Sequence, residues 1–194
     1  MTMSYTNKLM YALAMLCSVT FSFHAKADKT ESEQPTQLES SVKNPLRVQP
    51  FKTEIEEVEL ARVLRAAFVT VFQTQPSANR LAMAWAQVAL ENGRGKHSYN
   101  FNLGNIWPGP DQQYYLASDG NKYRSFLTHV DAAGAYWYVI KACTAAMRSF
   151  EAGLARQATI DLHNCNYFGA EIDAYAEAMG GLFWEAKNKI LMKM

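Results

Sequence analysis

Cysteine is scarce in this chain: three residues in 194, at positions 17, 143 and 165. Three cannot staple a mini-scaffold, and their spacing has none of the close pairs of a zinc ribbon. Six Pro and ten Gly are too few for a collagen-like or proline-rich chain. A surplus of one charge is missing too, with 19 Lys and Arg against 18 Asp and Glu. Proteins that grip nucleic acid by neutralising phosphates need a basic surplus, so no nucleic-acid partner is expected. His97, His129 and His163 are scattered, and no H-x-x-x-H or H-E-x-x-H occurs. Without those spacings no metal is expected. G-x-S-x-G and phosphate-binding glycine loops are absent, and neither Cys143 nor Cys165 sits in a thiol-nucleophile motif. No cofactor is expected.

What is present is enough apolar and aromatic material, 49% and 12%, for a real core. The longest apolar run, Leu9 to Phe23, is short for a membrane span and is broken by Ser18, Thr20 and Ser22. Lys8 precedes it and Ala25-Lys26-Ala27 follows, the pattern of a secretory signal over residues 1–27. An N-terminal anchor is the alternative. A lipid on Cys17 is a further one, against which Leu16 stands where a small residue is needed. Cleavage after Ala27 removes Lys8 and Lys26 and no acid, leaving 17 basic against 18 acidic residues. The mature chain is then expected in the periplasm or outside the cell, as a monomer with no stable membrane insertion.

Residues 28–50 are polar, rich in Ser, Gln and Glu, and hold three prolines. Such a segment buries too little to order itself and reads as a flexible linker. Cleavage also removes Cys17 and leaves the even pair Cys143 and Cys165. In an oxidising compartment these form one disulfide, or they stay as two buried thiols. A bridge closing about 22 residues would contribute roughly 3 kcal/mol.

The folded domain is expected over 51–194. Ile55, Val58, Ala61, Leu64, Phe68 and Val71 recur at three- and four-residue steps, which predicts a helix over 54–73. Ser77 can cap a second helix, Ala78 to Asn92, that carries Leu81, Ala82, Trp85, Val88 and Ala89 on one face and stops at Gly93 and Gly95. Residues 114–126 read as a hairpin around Asp119-Gly120. Helical patterning returns over 130–152 and again over 172–191, separated by a turn near 164–170. The fold class is therefore mainly α with a small β-hairpin lobe.

Glu91 is the last charged residue of an otherwise apolar helix, directly before its stop. The negative end of the helix dipole and apolar neighbours both disfavour an ionised carboxyl and raise its pKa. A carboxyl of raised pKa is what a general acid at a glycosidic oxygen requires. A solvated helix-end glutamate is the plainer alternative.

The stretch AWAQVALENGRGKHSYNFNLGNIW resembles the signature of bacterial peptidoglycan-cleaving glucosaminidases of the flagellar and autolysin type, within the lysozyme-like superfamily. Ala86-Gln87, Leu90-Glu91, Gly93 and Gly95 match its A-Q-x-x-L-E helix end and x-G-x-G turn, and Asn102 to Ile106 resembles the segment that follows. Tyr123-Arg124-Ser125-Phe126 is similar to the family's F-R-x-Y, and Asn166 to Tyr175 to its Tyr-containing turn. Asn92 stands where the family often has Ser, and Arg94 where it often has Trp. The resemblance implies a lysozyme-like fold, Glu91 as catalytic acid, and a cleft between helical body and β lobe bordered by Tyr167 or Tyr175.

Within that cleft, aromatic faces stack on sugar rings and amides pair with hydroxyls. Trp107 and Asn102 are the expected substrate contacts, and Gly104 a point of close backbone approach to glycan. Tyr99, Phe101, Tyr114 and Tyr115 crowd the same stretch. Two-carboxylate hydrolysis needs a partner for Glu91, and Asp111 is the candidate; Asp119 reads as a turn former. The expected activity is hydrolysis of β-1,4 bonds in peptidoglycan glycan strands. The alternatives are a lytic transglycosylase, which uses a lone Glu and leaves 1,6-anhydro ends, and a non-catalytic peptidoglycan-binding scaffold.

Overall fold

The computed structural model describes residues 46–194. The expected signal at 1–27 and the linker from 28 to 45 lie outside the described residues. Residues 46–50, expected as the end of the linker, are part of the domain instead. The Val48 N–H donates to the Tyr114 carbonyl and the Tyr114 N–H to the Leu46 carbonyl, both at 2.9 Å. Their side chains gave no apolar periodicity, so the backbone pairing left no trace in composition.

Helix α1 spans Glu57–Phe72 and α2 spans Ala78–Asn92. The helix predicted from Glu54 begins later because Thr53 and Ile55 are committed elsewhere: their N–H groups donate to the carbonyls of Ser98 and Gly95. The Ser77 side chain caps α2 by accepting from the Arg80 N–H, and Gly93 closes it with φ 59°. Ten of its residues are buried, including Met83, Ala84, Ala86 and Gln87 beyond the predicted face. A helix apolar all round belongs at the centre. Its alanines let α1 and the helices below come close. Trp85 and Trp137 are wholly buried. Their indole N–H groups donate to the carbonyls of Glu57 and Leu64, so neither polar handle is stranded.

The helix predicted over 130–152 is two: α3, His129–Ala142, and α4, Thr144–Ala152. Cys143 breaks it with φ −93° and ψ 77°. Gly153, at φ 70°, ends α4. A further helix, α5 (Ala155–Asn164), follows without a sequence forecast, because only Ala158, Thr159 and Leu162 turn inward. Helix α6 (Ile172–Glu185) then passes into a π turn, Ala186–Ile190, and a 3₁₀ turn, Leu191–Lys193. Cys143 and Cys165 are joined in a disulfide, Cα to Cα 6.0 Å, which ties the α3–α4 junction to the end of α5. Among the described residues no helix is long and apolar enough to cross a membrane.

The β lobe is a single hairpin. Strand β1 (Tyr114–Leu116) pairs antiparallel with β2 (Lys122–Arg124), Tyr115 opposite Tyr123. Asp119 makes the turn: its carboxylate accepts from the backbone and side chain of Asn121. Tyr114 and Tyr115 are buried in the lobe, and Tyr99 and Tyr123 flank Tyr115. The aromatics of this stretch therefore divide: those on the strand form the small core, while Trp107, 73% exposed, faces solvent.

Candidate active site

Glu91 occupies the last turn of α2, at the seam of helical body and β lobe. Three parts of the chain converge on it. Helix α6 supplies Tyr175, whose hydroxyl donates to Glu91 Oε1 at 2.7 Å. The loop before the hairpin supplies Asn105, whose Nδ2 donates to Glu91 Oε2 at 2.9 Å and, at 3.3 Å, to the Glu91 carbonyl. Both carboxyl oxygens are thus held. Burial pushes the Glu91 carboxyl above the usual carboxylate range, while the bonds from Tyr175 and Asn105 draw it partly back. Depth outweighs the donors, so the carboxyl keeps its proton to higher pH than a free one does, and two donors stand ready for the carboxylate that forms when it leaves.

Three tyrosines wall the site. Burial raises Tyr136, Tyr167 and Tyr175 well above the ordinary phenol value, and the Glu91 charge adds to each. All three therefore remain neutral donors. Tyr175 is 5% exposed and stacks face to face on Phe168, with ring centroids 3.9 Å apart. Tyr136 donates to Oε1 of Gln87, one turn before Glu91, at 2.7 Å. The Tyr167 hydroxyl donates to the Gly104 carbonyl at 2.9 Å. Cys165 lies two residues before Tyr167, so the disulfide anchors the turn that carries this wall.

Several expected site residues are bonded into this architecture. Asn102 is buried, and its Nδ2 donates to the carbonyls of Ile106 and Arg124 while its Oδ1 accepts from the Ile106 N–H. Every polar atom of that side chain is used within the fold, which leaves none for a sugar. Gly104 is buried too. A Cβ there would lie 2.7 Å from the Tyr167 hydroxyl and 3.2 Å from the Tyr136 ring, so the missing side chain makes room for the two tyrosines. Asp111 is exposed in the loop before β1. Among the described residues no hydrogen bond joins it, or any other carboxylate, to Glu91.

Asn105 is not among the contacts expected from the sequence, although it lies three residues from Asn102 inside the same motif. Its φ of 51° is the available clue, since Asn tolerates this left-handed backbone better than most residues. That turn aims its amide back at the helix end.

Asn92 and Arg94, two of the places where the sequence departs from the pattern it resembles, are both bonded into the fold. Asn92 is 1% exposed; its Oδ1 accepts from the Gly95 N–H at 2.7 Å and its Nδ2 donates to the Leu103 carbonyl at 3.2 Å. It braces the turn directly after the acid. Arg94 makes a two-pronged bond to Glu185 of α6, at 2.7 and 2.6 Å, with Glu57 of α1 3.6 Å away. The fork clasps the post-acid turn to two helices. Gly95 sits at φ 89°, packed so that a Cβ would run into the Ile55 carbonyl.

No family model matches the chain, and no curated protein matches it. Among solved structures the fold is similar to that of a peptidoglycan hydrolase from Sphingomonas sp. A1, with a TM-score of 0.54 at 16% identity, covering 70% of this chain and 94% of that one. The glycoside hydrolase domain of Salmonella typhimurium FlgJ is also similar, with a TM-score of 0.47 at 18% identity, covering 69% and 89%. The mainly helical, lysozyme-like fold class expected from the sequence is the one observed.

Proposed function

We propose that this protein is an exported glycoside hydrolase that cleaves β-1,4 bonds of peptidoglycan glycan strands, with Glu91 as general acid. The observation that carries the reading is the Glu91 carboxyl: lodged at a helix end, raised by burial, and held on both oxygens by Tyr175 and Asn105. Its fold is that of a protein described as a peptidoglycan hydrolase, which supports the substrate class.

In this reading protonated Glu91 donates to the glycosidic oxygen as the C1–O bond lengthens and the ring gains oxocarbenium character. The leaving strand departs as an alcohol. Glu91, now a carboxylate, is stabilised by the Tyr175 hydroxyl and the Asn105 amide. Water then adds at C1 and gives its proton to the Glu91 carboxylate, which restores the acid. Trp107 offers an exposed face on which a sugar can stack, and Tyr167 and Tyr175 form the back wall. The Cys143–Cys165 disulfide suits an oxidising compartment, as export through a cleaved signal at 1–27 would provide.

One observation favours a second reading. Among the described residues no other carboxylate bonds to Glu91 or moves its pKa. A lone Glu can act as acid and then as base, with the substrate's own 6-hydroxyl attacking C1 in place of water. Digestion of purified sacculi followed by mass spectrometry separates the two: reducing ends report hydrolysis, 1,6-anhydro ends report transglycosylation. Intact glycan with the protein bound to it would overturn both and leave a non-catalytic binding scaffold.

A further inference from the structure

We propose that a groove beside the acid receives the acidic peptide stem branching from the glycan strand, with Arg124 meeting a stem carboxylate; this rests on the peptidoglycan reading above. The groove, about 730 Å³, lies between α1, α3 and the part of the β lobe that follows Asn105. It is continuous with the acid along the chain. Asn105 holds Glu91; the carbonyl of the next residue, Ile106, accepts from the Arg124 N–H at 2.8 Å; and Trp107 forms part of the groove's lining.

Much of the wall is aliphatic, set by Val71, Ile106, Leu127, Val130 and Val139, with the Trp107 and Tyr138 rings beside them. A sugar ring pressed on that aliphatic stretch, away from Trp107, would leave hydroxyls without partners, which is costly. A short peptide of small aliphatic residues matches methyl to methyl and keeps its backbone groups toward the open side. The charges agree with that occupant. Arg124 is the only cation of the lining, and among the described residues no carboxylate pairs with it. Its guanidinium rests 4.5 Å from the centre of the Phe126 ring, which holds the planar fork in place. A fork so fixed fits a carboxylate edge-on. The one anion of the lining, Asp131, is engaged at the start of α3, where its carboxylate accepts from the Thr128 hydroxyl at 2.8 Å.

The test compares two substrates: glycan strands with stems intact, and the same strands after an amidase has removed them. Wild type is expected to show a kcat/KM about tenfold higher on stem-bearing strands, the size of a charge-assisted hydrogen bond. Arg124→Gln should bring that ratio close to one. Leu127→Glu is the second variant; at 81% exposed it does not threaten the core, and its charge repels the incoming carboxylate, so it too should reduce the ratio. A parallel titration of an acidic stem tripeptide, followed by NMR, should show binding by wild type and its loss in both variants. Equal rates on the two strands, or a ratio that neither variant changes, overturns the proposal while leaving the peptidoglycan reading intact. If wild type cleaves neither strand, that reading falls, and the tripeptide titration decides the groove by itself: no binding refutes it, and binding abolished in Arg124→Gln upholds it.

Discussion

Replacing Glu91 by Gln tests the acid and its setting together. The amide has the same shape, and it can be held by the same neighbours. Asn105 Nδ2 donates to Glu91 Oε2, so the Gln oxygen must face Asn105. The Gln amine then faces Tyr175, whose hydroxyl rotates from donor to acceptor, and no hydrogen bond is lost. What disappears is the proton. General acid catalysis contributes typically 10²–10⁴-fold, or about 2.7–5.4 kcal/mol of barrier, and the cleavage rate should fall by that much. Stability should move the other way. The folded pKa of Glu91 is raised above its unfolded value, so the group contributes most favourably below the unfolded pKa, and that contribution is lost as pH rises through the folded pKa. As pH rises the unfolded wild type gains from ionising in water, a gain the buried carboxyl resists and the variant lacks. The variant should therefore melt higher than wild type at neutral pH, and the gap should close as pH falls below the unfolded value. Muropeptide release from purified sacculi and thermal melts across pH measure the two effects. Equal cleavage by wild type and variant would refute the assignment of Glu91, and a melting difference that grows toward acid pH would refute the burial argument.

Three further outcomes are expected. Tyr175→Phe removes a bond that favours the Glu91 carboxylate, so the alkaline limb of the rate–pH profile should shift to higher pH; a shift to lower pH contradicts the donor geometry. Arg94→Met breaks a half-buried fork and strands Glu185, which should cost about 1–3 kcal/mol and lower the melting temperature by several degrees, read by calorimetry with Glu185→Gln as partner in a double-mutant cycle. Protein recovered from an oxidising compartment should show no alkylatable thiol at Cys143 or Cys165 by mass analysis, and the Cys143→Ser, Cys165→Ser pair should lose roughly 3 kcal/mol in denaturant melts.

Where the sequence was readable, local chemistry decided the outcome. Ser77 and Gly93 bracket α2, Asp119-Gly120 makes its turn, and Glu91 stands out because it interrupts an apolar helix just before the stop. Where it was not readable, tertiary placement decided. No Gly or Pro near Cys143 announces the break between α3 and α4. Helix α5 turns so few apolar residues inward that its period is lost. Asn102 and Asn105 look alike on paper; one is consumed by the fold, and the left-handed backbone of the other points it at the acid. Gly104 was legible as a required glycine, but what fills the missing Cβ comes from residues about 30 and 60 positions away.

The joint between lobe and body carries one more consequence. The chain passes through it near 55, near 95 and near 128, and those passages are fastened to one another. Ile55 donates to Gly95 at 3.2 Å, the His129 ring nitrogen lies 3.1 Å from the Thr53 carbonyl, and the Phe101 ring meets His129 edge-on. A hinge needs a few residues free to absorb rotation, and each of these is already bonded across the joint. In the proposed reading, the approach of a glycan strand to Glu91 is therefore set by a braced joint rather than by a moving one. On that reading little of a strand's binding energy is needed to close the two parts around it.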